Sequence, residues 1–295
     1  MRVTDSMLGN ILTQDLQSVQ GQLLTQQQQL SSGQRINTPS DSPSGIQEVL
    51  QLNHDLSQNT QYQANANDAL TWLHTTDTAL SNIVQLAQSV RTLAVSASGA
   101  MPSSQVTALA SQAASVLQNM VDTANTQQGS SYIFAGTAVD SSTPPFSQDS
   151  SGNVTYSGNT GSMKMLIGPS AEITTNTAGI ALVPLFSAVQ QVVTDLKTGT
   201  TTSLGQLAGS DLATLDQSLN GVIAAESVAG SSSQEAQNAV SQLSANQNQW
   251  RQLKASVLDT NVTSAVVRLQ QLQNTYQSAL AVGSQLIQPT LAKYL

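Results

Sequence analysis

The chain has no cysteine, so disulfides and thiolate metal sites are excluded and the sequence is silent on redox compartment. Charge is almost as scarce. Only 9% of the residues are Asp, Glu, Lys or Arg, against roughly a quarter in an ordinary soluble protein, and Gln, Ser, Thr, Asn and Ala fill the gap. Nine Lys and Arg stand against seventeen Asp and Glu, a net charge of -8, which leaves no basic stripe able to track a phosphate backbone. Nucleic acid is not an expected partner. Continuous apolar runs are missing too: none approaches the ~18 residues of a membrane span, so no membrane insertion is expected. The first 22 residues carry Arg2, Asp5 and Asp15 among spaced apolar residues, which is not the apolar core of a secretory signal. Export, if it occurs, is expected to need no cleaved signal peptide.

What is present supports a folded core: 39% of 295 residues are hydrophobic. A mostly uncharged polar surface has little like-charge repulsion and suits a protein that ends up against other subunits. A secreted polar protein with no partner would share that composition, so patterning has to decide.

Candidate chemistry is thin. His54 and His74, the two histidines, fall on one expected helix about 30 Å apart at 1.5 Å per residue, too far to share a metal ion. His74 and Asp77 lie one turn apart, and with no third group or nucleophile beside them an exposed helical pair is the simpler reading. No Walker loop, His-Glu-x-x-His or nucleophile elbow occurs. No catalytic, metal or cofactor residue is nominated, and an enzyme is not expected. Trp72 and Trp250 read as core packers, Trp250 on a stripe with Leu243, Leu253 and Val257. The Gln26 to Gln29 run reads as a polar helix face.

The two ends of the chain share a pattern. Leu12, Leu16, Val19, Leu23 and Leu30 alternate steps of four and three, with one step skipped at Gln26; that is a heptad seam. Val262, Ala265, Leu269, Leu272, Tyr276, Ala279, Gly283 and Leu286 repeat it more completely. Few charges flank either seam, and a lone hairpin of two such helices would be marginal in water. The seams, with Leu295 at the chain end, are therefore expected to be an assembly interface, mobile in the free monomer and ordered when neighbouring copies supply the missing packing.

Between the ends, a long helix is expected over 46–97 after the start signal Ser42-Pro43, broken at Gly99-Ala100-Met101-Pro102, with a second helix over 103–127. Two more are expected over 211–228 and 232–258, the last opened by a Ser232-x-x-Glu235 capping box. From 130 to 179 Gly, Pro, Ser and Thr rise, and Tyr132-Ile133-Phe134, Val154-Thr155-Tyr156 and the 163–167 segment read as strands between turns. The fold class is mainly α with a small β-rich insertion: a long antiparallel helix bundle formed by the N- and C-terminal segments, a terminal coiled coil and a central β domain. The expected division is 1–40 with 256–295 as the coiled-coil domain, 41–129 with 180–255 as the helical bundle, and 130–179 as the β-rich outer domain.

Between the first two helices lies a shaped linker. Gly33 and Asn37 are residue types that tolerate positive φ and can turn the chain, and Pro39 disfavours helical geometry at Thr38. On spacing alone this is either an ordinary helix-helix loop or an inter-domain joint in which Arg35 and Asp41 pair with each other or with a neighbour.

The same residues resemble a known family. Leu30-Ser31-Ser32-Gly33-Gln34-Arg35-Ile36-Asn37, ending at Asp41, is similar to the signature that closes the first helix of flagellins and their junction homologues. The opening Met1-Arg2-Val3-Thr4 and the closing Leu291-Ala292-Lys293-Tyr294-Leu295 resemble the family's chain ends. Tyr132-Ile133-Phe134-Ala135-Gly136-Thr137 with Pro144-Pro145-Phe146 resembles the junction branch more than flagellin proper.

The resemblance implies a structural subunit of the bacterial flagellum, extracellular, exported through the flagellar type III apparatus. It implies four partners: further copies of itself in a ring, hook-associated protein 1 on the hook side, flagellin on the filament side, and an export chaperone on the C-terminal region. It also implies that Gly33, Arg35, Asn37, Pro39 and Asp41 form the inter-domain joint. A flagellin that forms the filament itself is the nearest competing reading. A secreted adhesin or stalk is further away, since no anchor or long repeat is evident.

Overall fold

The computed structural model describes residues 5–99, 101–139, 142–149 and 151–287. Among the described residues seven α-helices carry the fold: α1 Asp5–Ser32, α2 Pro43–Ala97, α3 Ser103–Ala124, α4 Val183–Thr198, α5 Thr201–Gln206, α6 Leu212–Leu258 and α7 Val262–Ile287. Six short strands lie between α3 and α4: β1 Gln127–Gln128, β2 Ser131–Tyr132, β3 Phe146–Gln148, β4 Val154–Tyr156, β5 Lys164–Leu166 and β6 Glu172–Thr174. They pair in sequence as three antiparallel two-stranded hairpins. The chain is mainly α with a small β insertion, as its patterning predicts. It divides into two compact units, Met1–Gln58 with Asn246–Leu295, and Asn59–Ala245.

The second unit holds the main core. Leu73, Leu80 and Ile83 of α2 are buried with Leu117 and Met120 of α3, Leu185 and Val189 of α4, and Leu215 and Val222 of α6. Alanines at 66, 69, 87, 94, 110 and 113 are buried among them, small residues that let long helices approach closely. Within this unit α2 and α6 run antiparallel. Asn59 donates to the Leu243 carbonyl at 2.9 Å near one end, and Arg91 grips Asp216 through two nitrogens at 2.7 and 3.1 Å near the other. That ion pair is exposed on both sides and orients more than it stabilises.

The hairpins are fastened to the helices by single side chains. Asn125, just past α3, donates to the Phe146 carbonyl and accepts from its N–H, at 2.8 and 3.0 Å. Phe146 then stacks between Tyr156 and Phe186 of α4, with ring centroids 4.9 and 5.0 Å away. The Tyr156 hydroxyl donates towards the Phe134 carbonyl at 3.0 Å, and burial pushes its pKa up. Gly179 completes the corner, since a Cβ there would come within 2.6 Å of the Phe134 carbonyl oxygen. The β-rich segment therefore shares the helical core and has none of its own.

Four expectations are corrected. The helices expected over 211–228 and 232–258 are one, α6: Gly230 alone costs only about 1 kcal/mol in a helix, and Ala229 and Ala236, both buried, hold the stretch together, so Ser232 and Glu235 lie inside the helix and cap nothing. The helix expected to reach 127 ends at Ala124, because Gln127 pairs with Tyr132. Of Tyr132-Ile133-Phe134 only Tyr132 is in a strand; Ile133 and Phe134 turn fully inward.

The fourth correction concerns apolar length. Residues 179–198 are long and apolar enough for a membrane span. In the fold they are a core segment: Leu185, Phe186, Val189, Val192, Val193 and Leu196 are buried at helical spacing. Pro184 in the first turn and this period mark α4 in the sequence.

Candidate assembly interface

The first unit pairs α1 with α7, antiparallel. A Cβ added at Gly283 would lie 2.7 Å from Leu12 Cδ2, and beyond the other end Gln34 bridges Asp259 in antiparallel fashion. Leu12, Leu16, Val19, Leu23 and Leu30 are half-buried among exposed neighbours, and so are Leu269, Leu272, Tyr276 and Ala279, while Ala265 and Gly283 are buried. The heptad seam is the contact line. Its skipped step is filled: Gln26 is 8% exposed, the most buried described residue of α1.

Val262 does not join the seam. It is 57% exposed, because it opens α7 beside the Gly33 turn, where Thr260 N–H donates to the Gly33 carbonyl and α1 has already ended. Leu286 lies in α7, but its side chain is outside the described residues, as is Leu295. Of the other nominated packers, Trp72 is buried at 8% exposure, Trp250 is half-buried, and Leu253 of its stripe is 44% exposed.

The nominated joint residues come together, in roles the sequence only half discloses. Gly33 stops α1 with φ +71°, a conformation for which glycine carries no steric cost. Asn37 does not adopt positive φ; instead its side chain donates to the Gln34 carbonyl at 3.0 Å. Arg35 and Asp41 do not pair with each other, because backbone groups engage both. The Arg35 guanidinium donates to the Val257 carbonyl at 2.8 Å, and its N–H to the Leu258 carbonyl at 2.6 Å. The Asp41 carboxylate accepts the N–H groups of Asn37 and Thr38 at 2.9 and 2.8 Å. The Thr38 and Asn37 backbone bonds hold its pKa below the usual carboxylate value. Pro39 sits exposed in the turn so closed.

Beneath the turn, Ile36 is buried with Val49 and Leu258 against Ile46 and Val257. The crossing from α1 to α2 is thus stitched to the crossing from α6 to α7. Around this stitched frame many large apolar side chains stay exposed on the same helix pair: Ile11 54%, Leu24 61%, Val266 48%, Val267 53%, Leu280 46% and Val282 53%. One face of each helix meets its partner, and these exposed apolar side chains lie to either side of it.

No cluster of three metal-ligating side chains occurs among the described residues, and His54 and His74 are both exposed on α2.

Against known proteins, residues 3–139 match the family model of the bacterial flagellin N-terminal helical region. Over those residues, just under half of the chain, it is similar to that region of flagellins. No curated protein matches it in sequence. Among solved structures, a Vibrio parahaemolyticus protein assigned as a flagellar hook-associated protein superposes with a TM-score of 0.67 at 17% identity, over 74% of this chain and 100% of that one. Flagellar hook-associated protein 3 of Legionella pneumophila gives 0.59 at 16% identity, over 70% and 97%. The flagellar junction protein FlgL of Legionella pneumophila gives 0.56 at 17%, over 73% and 100%. The fold is that of these flagellin-like hook-associated proteins, and the chain spans essentially their whole length.

Proposed function

We propose that this flagellin-like chain is a structural subunit of the bacterial flagellum, the adapter between hook and filament, and not an enzyme. The observation that carries the reading is the α1–α7 pair: two helices almost free of charge, joined along one seam with large apolar side chains exposed to either side of it, in a chain with the fold of hook-associated protein 3. Such a pair is short of packing on its own, and neighbouring subunits would provide it. Residues 1–40 with 256–295 then act as the assembly domain, gaining order as copies add. The stitched turn of Gly33, Arg35, Asn37, Pro39 and Asp41 fixes how that domain leaves the rest of the chain.

In this reading the partners are further copies in a ring, hook-associated protein 1 on one side and flagellin on the other. Heterologous contacts of one patch with a different patch close into rings or continue as helices, the symmetry an adapter needs. The chain reaches the cell exterior by the flagellar type III route, with a chaperone on its C-terminal region before export.

Electron microscopy of the purified chain under conditions that polymerise flagellin tests the choice between adapter and filament. Short oligomers or rings are expected. Long filaments made by this chain alone would replace the adapter reading with the flagellin one.

A further inference from the structure

Residues 199–211 form a short strap between α4 and α6 that is lightly held. Gly199, at φ +60°, closes α4, and Thr200 and Ser203 cap α5 reciprocally. Over 201–210 only Ser203 and Leu207 are buried, Leu204 is half-buried and the rest are exposed. Leu207, 0% exposed, is the apolar anchor. The strap joins α6 through the π turn Leu207–Asp211, a geometry that occurs mostly as single turns and often at functional sites.

The second anchor is polar. The carboxyl of Asp211 stands against that of Asp195 on α4, and Asp195 is 6% exposed. Asp195 Oδ2 accepts from the Gln191 side chain at 2.8 Å, and Asp211 Oδ1 from the Ser210 hydroxyl at 3.2 Å. Asp211 Oδ2 is buried and meets no donor. Two ionised carboxylates in contact repel, and a buried oxygen without a donor is costly. A proton on Asp211 removes both penalties, because the hydroxyl so formed donates to the Asp195 carboxylate.

Among the described residues no cation pairs with either acid. Arg91 of α2 is held by Asp216, the next charged residue of α6. Lys197 of α4 lines a cleft with Gln148 and Ser151 of the β3–β4 hairpin. Asp122, the charged residue of α3, accepts from Gln118, and α5 carries no titratable side chain.

We infer that the strap over 199–211 is a pH-gated flap, clamped to α4 while Asp211 donates a proton to Asp195 and released when both acids ionise. Burial, and then the Asp195 carboxyl, raise the Asp211 pKa above 3.8. The clamp is therefore fully present below pH 3.8 and is lost as the pH rises through the raised value. Release lets Leu207 leave the core, with the chain turning at Gly199 and at the π turn.

Hydrogen exchange on the full chain, corrected for the intrinsic effect of pH on exchange, tests the flap. Amides over 203–211 are expected to be about tenfold better protected at pH 4 than at pH 7, a larger change than any over 219–229 of α6. Asp211→Asn and Asp195→Asn each remove a charge and keep a donor between the two groups, so both variants should hold at pH 7 the protection that the unaltered chain shows at pH 4. Equal protection of the strap at the two pH values overturns the flap, as does a change that 219–229 shares in full. So do asparagine variants that exchange at pH 7 as fast as the unaltered chain. A second readout keeps the pH fixed. The chain has no cysteine of its own, and at pH 7 the thiol of Leu207→Cys should be alkylated about tenfold faster than that of Leu207→Cys/Asp211→Asn. Equal alkylation rates contradict the flap.

Discussion

Arg35 reaches across the fold to the carbonyl of Val257, 222 positions along the chain, at 2.8 Å. With the backbone bonds from Arg35 to Leu258 and from Thr260 to Gly33, it ties the first chain reversal to the last. Arg35→Ala is expected to speed amide exchange at Arg35 and Thr260 roughly tenfold, the equivalent of one net hydrogen bond, while amides in the middle of α2 and α6 keep their protection. Arg35→Lys restores only part of it, because a guanidinium fork holds a carbonyl more rigidly than an ammonium. Unchanged exchange at both amides in the alanine variant would show that the tie is ornamental.

Asp41 gives the same turn a pH dependence. Its pKa lies below 3.8 because the Thr38 and Asn37 N–H groups stabilise the carboxylate. A depressed folded-state pKa contributes stability that is present above the unfolded value and lost as the pH falls through the folded one. Amide protection at Asn37 and Thr38 is therefore expected to persist through pH 3.8 and to disappear below it. Asp41→Asn should show the weakened turn at every pH. Loss of protection already near pH 5 would contradict the assignment.

Gly230 and Gly45 both sit in helices, and alanine should act on them in opposite directions. Nothing lies within 4 Å of a Cβ at Gly230, so Gly230→Ala is expected to stabilise α6 by about 0.5–1 kcal/mol. A Cβ at Gly45 would come 2.6 Å from Ile36 Cδ1, and Ile36 is 3% exposed between Val49 and Leu258, with little room to move. Gly45→Ala should cost about 1 kcal/mol or more. Paired thermal melts decide it, and equal shifts in one direction would refute the packing at Ile36.

The helical run from α5 to α6 widens into a π turn over Leu207–Asp211. There Asp211 meets Asp195 of α4, and burial together with that second carboxyl raises the Asp211 pKa. An acid with a raised folded-state pKa loses stability as the pH rises from 3.8 through the raised value. Asp211→Asn should therefore raise the melting temperature at pH 7, by the equivalent of about 0.5–1 kcal/mol, and make little difference near pH 4. A lower melting temperature at pH 7 would mean that the carboxylate has a favourable partner.

The seam was legible because Leu and Val at steps of three and four project onto one face of a helix whatever they pack against. Gln26 was not, since a polar residue at a heptad position reads as a gap; only the structure shows it filling the line. Gly33 was legible through its residue type. Arg35 and Asp41 were legible as important but were paired with the wrong groups, because sequence shows side-chain charges and hides the backbone carbonyls and N–H groups that claim them. β3 and β6 are three residues each and carry Ser147, Gln148 and Glu172, too short a stretch for a period of two to stand out; pairing with β4 and β5 makes them strands.

The central claim is that this chain holds the filament to the hook. Deleting its gene in the native host and inspecting the cells by electron microscopy tests it most directly. Cells that keep their hooks but lose their filaments are expected, with flagellin exported and shed into the medium. Filaments of normal length still attached to those hooks would contradict it.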